Sequence, residues 1–434
     1  MKSFFFNQQP TTNNQQPTTN NQQPTTNNQQ PTTNNDNTVI TFKEALQKVL
    51  EHPLDLGNEQ VPLLDSMGRY LDEPMYADRD FPPFHRVTKD GIAIQFDAVI
   101  GKVQKIRIED VASAGMAQLS LEDNACCIEV MTGAVLPKNT DTVIMYEHLT
   151  IEDGLVTINE SVTKGQNIHY KGSDESKGAQ ILSVGTRITP AEIGVMASVG
   201  KPMILVKKVP KVCCIATGNE LVDVDVTPEP HQIRKSNSLT MLSALSHLGI
   251  KGSSLHLLDD KKSIEEGLSS ALRENDVLLL SGGVSKGKFD FIPEIMDSLG
   301  VEKIFHRVAQ RPGKPFWFGV HKESKTVIFS FPGNPVSTFA NYHLYFLPWL
   351  FRSWGIKMET QFAKLTVEQD ITPPLTRFIQ VSTHSKEGCL HVTPVVENGS
   401  GDLTSLSRAD GFICLEPREL AYMVEEVVRF IPIR

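Results

Sequence analysis

Three turns between residues 281 and 335 carry the residue types that bind anions. They are SGGVSKGKFDF from Ser281, RVAQRPGKPFWFG from Arg307 and FSFPGNPVSTF from Phe329. Each adjoins an apolar run that is typical of a buried strand. Glycines such as Gly282 and Gly283 let backbone N–H groups approach an anion, and lysines and arginines supply charge. The stretch therefore predicts a site for a negatively charged ligand.

The first turn contains two catalytic motifs, and each lacks a feature. GGVSKGK has the G-x-x-x-x-G-K spacing of a P-loop, but Phe289 stands where a Ser or Thr would bind Mg²⁺. The same residues read G-x-S-x-G around Ser285, the nucleophile-elbow pattern of α/β-hydrolases. That elbow needs a helix directly after the serine, whereas KGKFD continues the loop. A phosphate cradle, a hydrolase elbow and a simple glycine turn between strand and helix are all open at this point.

Cations are concentrated in the second turn, and no carboxylate accompanies them. The cations are Lys303, Arg307, Arg311 and Lys314. If residues 303–311 form one strand, the first three share a parity and project from one face. Such a row can bind anions, or it can be the solvated face of an edge strand.

The third turn, FPGNP, combines a tight turn with a helix start. Pro332 precedes Asn334, a residue type that caps helices, and Pro335 fits the first helical turn. The free N–H groups and the dipole at a helix start favour an anion. The third turn therefore adds to the anion site that the first two predict.

Residues 203–354 alternate strand-like and helix-like segments. KVCCIA, SLHLL and DVLLLS are short apolar runs, while SNSLTMLSALSHLG and SIEEGLSSALREN carry apolar residues at helical intervals. This order predicts an α/β domain with a central, mostly parallel sheet and helices on both faces. In such folds ligands bind at the carboxyl ends of the strands.

Carboxylates follow three of these predicted strands. Glu220 follows the first strand, Asp259 and Asp260 follow the second, and Asp290 lies in the loop after the third. We expect them to share one edge of the sheet, where oxygen ligands suit Mg²⁺. Together with the basic turns, they predict a phosphate-bearing ligand held with a divalent cation.

The remaining regions differ in residue composition and hydrophobic patterning, so we expect a multidomain protein. Four copies of NQQPTTN predict a disordered tail, with a partner-binding arm as the alternative. Thr41 and Glu44 form a capping-box pattern that predicts a helix at the start of the folded body. The predicted divisions are the tail at 1–37, a linking domain at 38–80 and 168–202, a β-rich domain at 81–167, the α/β domain at 203–354 and a small C-terminal β domain at 355–434.

Composition excludes several classes of protein. A net charge of −9 over 434 residues argues against nucleic acid or an anionic membrane as a partner. No stretch of about 20 apolar residues is present, and MKSFFF is too short for a signal peptide. The pairs Cys126–Cys127 and Cys213–Cys214 lack metal-ligand spacing and predict reduced core thiols in the cytoplasm.

From residue 38 to residue 434 the chain resembles the molybdopterin molybdenumtransferases of molybdenum-cofactor synthesis, the MoeA type that includes the gephyrin E domain. The motifs that carry the resemblance, in the family's order, are FPPFHRVTKDGIAI, MTGAVLP, GQNIHYKGSDESKGA, ATGNEL, KSNSLTML, SGGVSKGKFDF, RPGKP and FPGNPVS. So many motifs in one order make the resemblance specific.

The resemblance implies an enzyme that inserts molybdate into adenylylated molybdopterin and releases AMP in the presence of Mg²⁺. It also implies a homodimer, joined through the linking domain, that meets other enzymes of cofactor synthesis. Each active site would lie between the α/β domain of one subunit and the first two domains of the other. The positions that match the family's functional residues are Asp90, Thr132, Asp174, Glu220, Asp259, Asp290, Arg307, Arg311, Pro332, Pro335 and, more loosely, Ser400.

The roles follow from charge. Two anionic substrates must meet, so we expect the cations to offset their charge and the carboxylates to hold Mg²⁺. The residues expected to act in catalysis and to bind the metal are Glu220, Asp259 and Asp290. Those expected to bind substrate are Asp90, Thr132, Asp174, Gly282, Gly283, Ser285, Arg307, Arg311, Lys314, Pro332, Pro335 and Ser400.

The chain departs from the family pattern at three notable positions. Ile92 replaces the tyrosine of DGYA, Lys288 stands where a glutamate is common, and Gln380 stands where an arginine is expected. Ile92 lacks the phenol, while gaining Lys288 and losing the arginine at position 380 shifts where positive charge lies in the site. Two alternatives stay open: a molybdopterin adenylyltransferase, which shares the α/β domain but needs no flanking β modules, and a non-catalytic scaffold of the same fold.

Overall fold

The computed structural model describes residues 39–284, 291–370 and 375–434. The repeat tail, Ser285, Lys288 to Phe289 and Asp290 lie outside the described residues. In the part that the structure describes, no helix is long and apolar enough to cross a membrane.

The α-helices of the described residues are α1 (Phe42–Leu50), α2 (Phe96–Val99), α3 (Pro190–Ser198), α4 (Ser236–Ser246), α5 (Lys261–Glu274), α6 (Ile292–Ser298), α7 (Pro335–Asn341), α8 (Leu347–Ser353) and α9 (Leu403–Leu406). A π-helical segment, Tyr342–Phe346, joins α7 to α8, and short 3₁₀ turns span Leu63–Ser66 and Tyr146–His148.

Helix α1 begins at the predicted capping box. The Thr41 hydroxyl accepts from the Glu44 N–H, and the Glu44 carboxylate accepts from the Thr41 N–H. The buried side chains of α1 pack with the α/β region. The apolar face of α1 thus finds its partners in the α/β region, and the grouping of residues 38–80 with residues 168–202 stays a prediction.

The strands before residue 210 are β1 (Asn58–Pro62), β2 (Met75–Tyr76), β3 (Arg86–Val87), β4 (Gly91–Ile94), β5 (Ile106–Ala112), β6 (Cys127–Val130), β7 (Thr142–Met145), β8 (Leu149–Glu152), β9 (Leu155–Ile158), β10 (Ile168–His169), β11 (Gln180–Leu182) and β12 (Met203–Lys207). Strands β4 to β9 form one six-stranded sheet, in the order β7-β4-β6-β5-β9-β8. Three antiparallel pairs, β1 with β12, β2 with β11 and β3 with β10, tie the segments before and after this sheet together.

The later strands are β13 (Val212–Thr217), β14 (Leu221–Val222), β15 (Ile233–Arg234), β16 (Ser253–Leu257), β17 (Val277–Ser281), β18 (Val301–His306), β19 (Gln310–Arg311), β20 (Trp317–His321), β21 (Val327–Phe331), β22 (Gln361–Leu365), β23 (Thr376–Lys386), β24 (Cys389–Pro394), β25 (Gly411–Leu415) and β26 (Val427–Pro432).

The central sheet has the order β16-β13-β17-β21-β20-β18. Its first four strands are parallel, β20 runs antiparallel to β21, and the edge strand β18 pairs antiparallel with β20. Cys214 of β13 packs with α4, α7 and α8, while Cys213 and Ile215 face α5 and α6 on the other side. The predicted α/β domain, with a mostly parallel sheet and helices on both faces, is confirmed.

The prediction of one strand over residues 303–311 is wrong. Strand β18 ends at His306, and Arg307 has φ +78°, which turns the chain out of the strand direction. The next short strand, β19, instead pairs parallel with β23 of another sheet. Lys303, Arg307 and Arg311 therefore do not share one strand face.

The C-terminal sheet has the order β19-β23-β24-β22-β26-β25, and β25 also pairs with β23. This extra pairing closes the sheet into a barrel-like domain with its own buried core. The predicted small β domain is present.

All six cysteines are free thiols, and only Cys389 among them is exposed. Burial raises the pKa of the Cys127 thiol to about 12, so this side chain stays protonated and behaves as a small core residue.

Candidate active site

A pocket of about 440 Å³ opens beyond the carboxyl ends of the parallel strands. From β13 the chain crosses to β16 on one side and then returns to β17 on the other side of β13. Crossovers that diverge in this way leave a crevice between the first two loops, and ligands of α/β proteins bind there. The pocket volume is in the range of small-molecule sites.

Two predicted carboxylates line this pocket, and they differ in their partners. Asp259 accepts a hydrogen bond at Oδ2 from the Asn219 N–H at 3.2 Å, and its own N–H donates to the Asn219 side-chain oxygen at 3.1 Å. The Glu220 carboxylate accepts no hydrogen bond from any described residue. Both side chains therefore keep oxygen atoms available to a ligand.

Asp260 has a different function from its neighbour. Its carboxylate accepts from the Ser263 N–H at 2.9 Å and caps helix α5. This contact satisfies one of the free N–H groups at the helix start, so Asp260 is a structural cap.

The glycine pair of the first turn forms one wall of the pocket. Gly282 and Gly283 have φ values of +101° and +69°, which favour glycine. A Cβ on Gly282 would lie 2.7 Å from Oγ1 of Thr217 and 3.0 Å from its carbonyl oxygen. Close approach between the ends of β13 and β17 therefore requires glycine here.

Asn237, at the start of α4, ties the first and third turns together. Its side-chain nitrogen lies 3.2 Å from the Ser281 hydroxyl, 2.7 Å from the Gly333 carbonyl oxygen and 3.3 Å from the Thr338 hydroxyl. The motif KSNSLTML, which contains Asn237, contributes to the family resemblance, but its sequence alone predicts no role for these residues. They occupy the pocket because the helix after β15 starts at the sheet edge.

The third turn brings in the C-terminal domain. Asn334 is the N-cap residue of α7, but its side chain does not cap the helix; it donates to the Ser400 hydroxyl at 2.9 Å. The Val336 N–H donates to the Ser400 carbonyl at 3.2 Å. Pro335 lines the pocket, and the Pro332 carbonyl accepts from the Thr338 hydroxyl at 2.6 Å.

The predicted cations are not in the wall of this pocket. Arg307, Arg311 and Lys314 do not line it, and none of them forms an ion pair with a described residue. The cations that do line it are Arg234 and Lys235, which the sequence analysis missed. Their only sequence signal is their place between a strand and a helix start.

A buried polar cluster holds the turn that carries Arg311. The Gln310 side-chain nitrogen donates to the Pro312 carbonyl at 2.9 Å and to the Asn341 side-chain oxygen at 2.8 Å. The Tyr345 hydroxyl donates to the Gln310 side-chain oxygen. Since Gln310 and Asn341 are fully buried, these bonds fix the backbone of the turn.

Asp90 and Thr132 meet in the β-rich region. The Thr132 N–H donates to Oδ1 of Asp90 at 2.6 Å. This bond, with a second from the Thr132 side chain, holds the pKa of Asp90 below its usual value. Both residues are exposed and neither lines the pocket, so the structure brings this pair together but not with Glu220 and Asp259.

Asp174 is oriented by a histidine. His169 Nε2 lies 2.7 Å from Oδ1 of Asp174, and Arg86 Nη2 lies 3.0 Å from the other ring nitrogen of His169. Because arginine can only donate, that ring nitrogen accepts, and the Nε2–H donates to Asp174. Asp174 does not line the pocket either.

Two of the three departures lie in the described residues, and both are buried. Ile92 is fully buried in the core of the β-rich sheet. Gln380 is also fully buried, and its side-chain nitrogen donates to Glu397 at 2.5 Å and to the Ser405 hydroxyl at 2.8 Å. A neutral amide therefore satisfies this core position without an arginine.

Models of three protein regions match the chain in order. They are the MoeA N-terminal region (domain I and II) over residues 40–200, a probable molybdopterin binding domain over residues 213–352, and the MoeA C-terminal region (domain IV) over residues 363–433. The matches together span nearly all of the described chain.

Named proteins are similar to this chain over most of its length. A Synechocystis protein named molybdopterin molybdenumtransferase is 36% identical over 396 residues, which are 90% of this chain and 99% of the relative. A Bacillus subtilis protein of the same name is 32% identical over 412 residues, covering 92% and 95%. A crystal structure described as the molybdopterin biosynthesis moeA protein of Pyrococcus horikosii has a TM-score of 0.75 and 28% identity, and covers 92% of this chain and 100% of that one.

Proposed function

The chain belongs to the MoeA family of molybdopterin molybdenumtransferases, and on that premise we propose that its pocket binds adenylylated molybdopterin for the insertion of molybdate and the release of AMP. The chain is a transferase of molybdenum-cofactor biosynthesis. The observation that carries the site is the joint position of Glu220 and Asp259 at the carboxyl ends of β13 and β16.

The pocket supports this chemistry by its donor set. The free N–H groups at the start of α4 attract the phosphates of the substrate. Glu220 and Asp259 offer carboxylate oxygens, the ligands that Mg²⁺ prefers. These residues fit a magnesium ion, which when bound would neutralise and polarise the phosphoanhydride.

The reaction needs no covalent nucleophile on the protein. Either water attacks the adenylyl phosphorus and gives up its protons to solvent, or a molybdate oxygen attacks and its bond to molybdenum breaks. In both cases the bond from phosphorus to the bridging oxygen breaks, and AMP departs with the attacking oxygen. The bridging oxygen stays on the phosphate of molybdopterin. Glu220 and Asp259 hold and position the reacting groups, and the outlying cations Arg307, Arg311 and Lys314 offset the charge of molybdate. Asp290 and Ser285, which lie outside the described residues, belong to the same proposal.

The homodimer explains the residues that the pocket lacks. Asp90, Thr132 and Asp174 lie away from Glu220 and Asp259 in one chain. If two chains pair, Asp90, Thr132 and Asp174 of one subunit can complete the pocket of the other subunit. We place this dimer in the cytoplasm, with other enzymes of cofactor synthesis as its partners.

The test follows AMP release by purified protein with adenylylated molybdopterin, Mg²⁺ and molybdate. We expect AMP only when both the metal and molybdate are present. Molybdate-independent release, or none, would contradict the function. The adenylyltransferase alternative predicts that the protein instead forms the adenylylated substrate from ATP and molybdopterin. The scaffold alternative predicts no turnover in either assay.

A further inference from the structure

Lys235 is held at the edge of the pocket by its backbone. It directly precedes helix α4 and lines the pocket beside Arg234. Its N–H donates to the Val222 carbonyl at 2.9 Å, which continues the pairing of β14 with β15. Since β14 begins at the residue after Glu220, the position of Lys235 is coupled to that of a predicted catalytic carboxylate.

The side chain of Lys235 has an exposed partner. Its Nζ lies 2.6 Å from Oδ1 of Asp223, and 17% of the lysine side chain is exposed against 69% of the aspartate. The ammonium group has three donors, and this contact uses one of them. An ion pair with so exposed a carboxylate is weak, because water solvates the carboxylate well. An anionic phosphate group can displace it.

Two carboxylates line the pocket, so an anionic ligand needs a cation such as Lys235 that can exchange its carboxylate partner for a phosphate. Glu220 and Asp259 repel an anionic substrate, and of the two cations in the wall Arg234 already donates through Nε to the Val226 carbonyl at 3.1 Å. Lys235, in contrast, is paired with the exposed Asp223 carboxylate, which a ligand can displace from its ammonium group. Its neighbours Ser236 and Asn237 at the start of α4 line the same space, and a helix start carries free N–H groups that favour an anion.

We propose that Lys235 binds a phosphate oxygen of the substrate, and that Asp223 competes for the same ammonium group and holds it when the pocket is empty. This inference rests on the proposed function only for the identity of the substrate. Asp223 then sets the affinity for anions without contacting them. The arrangement gives the two residues opposite effects on binding, which a simple structural pair would not.

The test measures the Kd of AMP and of inorganic phosphate by isothermal titration calorimetry on the full-length protein. We expect Lys235→Gln to weaken binding about tenfold, which is the loss of one charge-assisted hydrogen bond. Asp223→Asn should tighten binding about threefold, because it removes a weak competitor. In the double variant the gain from Asp223→Asn should vanish.

Matched variants separate this exchange from general electrostatics. Asp225→Asn removes the same charge two residues further along the loop, and we expect a change in Kd of less than about twofold. Lys322→Gln breaks a pair of the same 2.6 Å length with Glu302, outside the pocket, and should leave Kd unchanged. Thermal melting confirms that each variant is folded.

Three outcomes overturn the inference. One is an unchanged Kd in Lys235→Gln, and another is weaker binding in both single variants, which would make the pair a structural clamp. The third is failure of the wild type to bind either anion. Binding of phosphate but not AMP, with the expected variant pattern, would support the role of Lys235 while counting against the proposed substrate.

Discussion

The carboxylates at the sheet edge differ in their hydrogen-bond partners. Asp259 uses one oxygen to receive the Asn219 N–H, Glu220 receives no hydrogen bond from a described residue, and Asp260 is committed to the start of α5. Adjacent aspartates therefore have different roles although their residue type is the same. This difference gives a paired experiment.

We expect Asp259→Asn to lower kcat for AMP release about 100-fold or more, because a neutral amide is a poor ligand for Mg²⁺. The amide oxygen can still accept from Asn219, so the fold is retained. Asp260→Asn is the matched control, since asparagine caps helices as well as aspartate, and its kcat should stay within about twofold of wild type. Equal losses in both variants would argue against a catalytic role for Asp259.

At the scale of elements, the glycine turn after β17 has little space for a side chain. We expect Gly282→Ala to lower both stability and AMP release, by about 2 kcal/mol or more for stability, because its Cβ meets Thr217 and its φ is positive. Gly178→Ala has a positive φ but open space around the Cβ. This variant should lower the free energy of unfolding only by the conformational strain, about 1 kcal/mol. Chemical denaturation compares the two, and equal costs would show that the close contact does not matter.

The π-helical segment between α7 and α8 contains a largely buried histidine. His343 donates through Nδ1 to the Phe339 carbonyl at 2.9 Å, and burial lowers its pKa to about 4. In the unfolded chain the His343 imidazole binds a proton near pH 6.5, whereas in the folded chain it stays neutral until about pH 4. The free energy of unfolding therefore falls as the pH drops from about 6.5 to about 4.

We expect this histidine to contribute about 3 kcal/mol of that loss at the acid end. The measurement is the free energy of unfolding against pH for wild type and His343→Gln, in which the slope over this window should flatten. His231→Gln alters an exposed histidine and should leave the slope as it is. An unchanged slope in His343→Gln would contradict the prediction.

At the scale of the whole molecule, the predicted site residues fall into separate groups. Glu220, Asp259 and the first and third turns meet at one sheet edge, while Asp90 and Thr132 lie at the ends of strands β4 and β6 of another sheet. A homodimer with shared sites predicts complementation between subunits. We expect Asp90→Ala and Asp259→Ala to be inactive alone, and their mixture after subunit exchange to recover about a quarter of wild-type activity, because half of the dimers are mixed and each holds one intact site.

The control mixes Asp259→Ala with Glu220→Ala, which alter the same group. That mixture should stay inactive. Recovery there would mean that Glu220 and Asp259 of different subunits share a site, and no recovery with Asp90→Ala would place each site within a single chain. Analytical ultracentrifugation checks that the variants still associate.

The order of elements could be read from the sequence, because apolar periodicity, caps and glycine turns are local properties, and the family was recognised from its motifs in their order. The capping box at Thr41 and Glu44 and the alternation after residue 203 were predicted and are confirmed. The joint position of Glu220 and Asp259 followed from the rule that parallel strands end at one edge.

Which side chains turn toward that edge depends on long-range packing. The positive φ of Arg307 ends β18 early, which no residue type near it predicts. Lys235 and Asn237 reach the pocket because the loop after β15 delivers α4 to the sheet edge, and α1 packs on the α/β region rather than on its sequence neighbours. These placements depend on contacts between residues far apart in the chain, which local patterns do not encode.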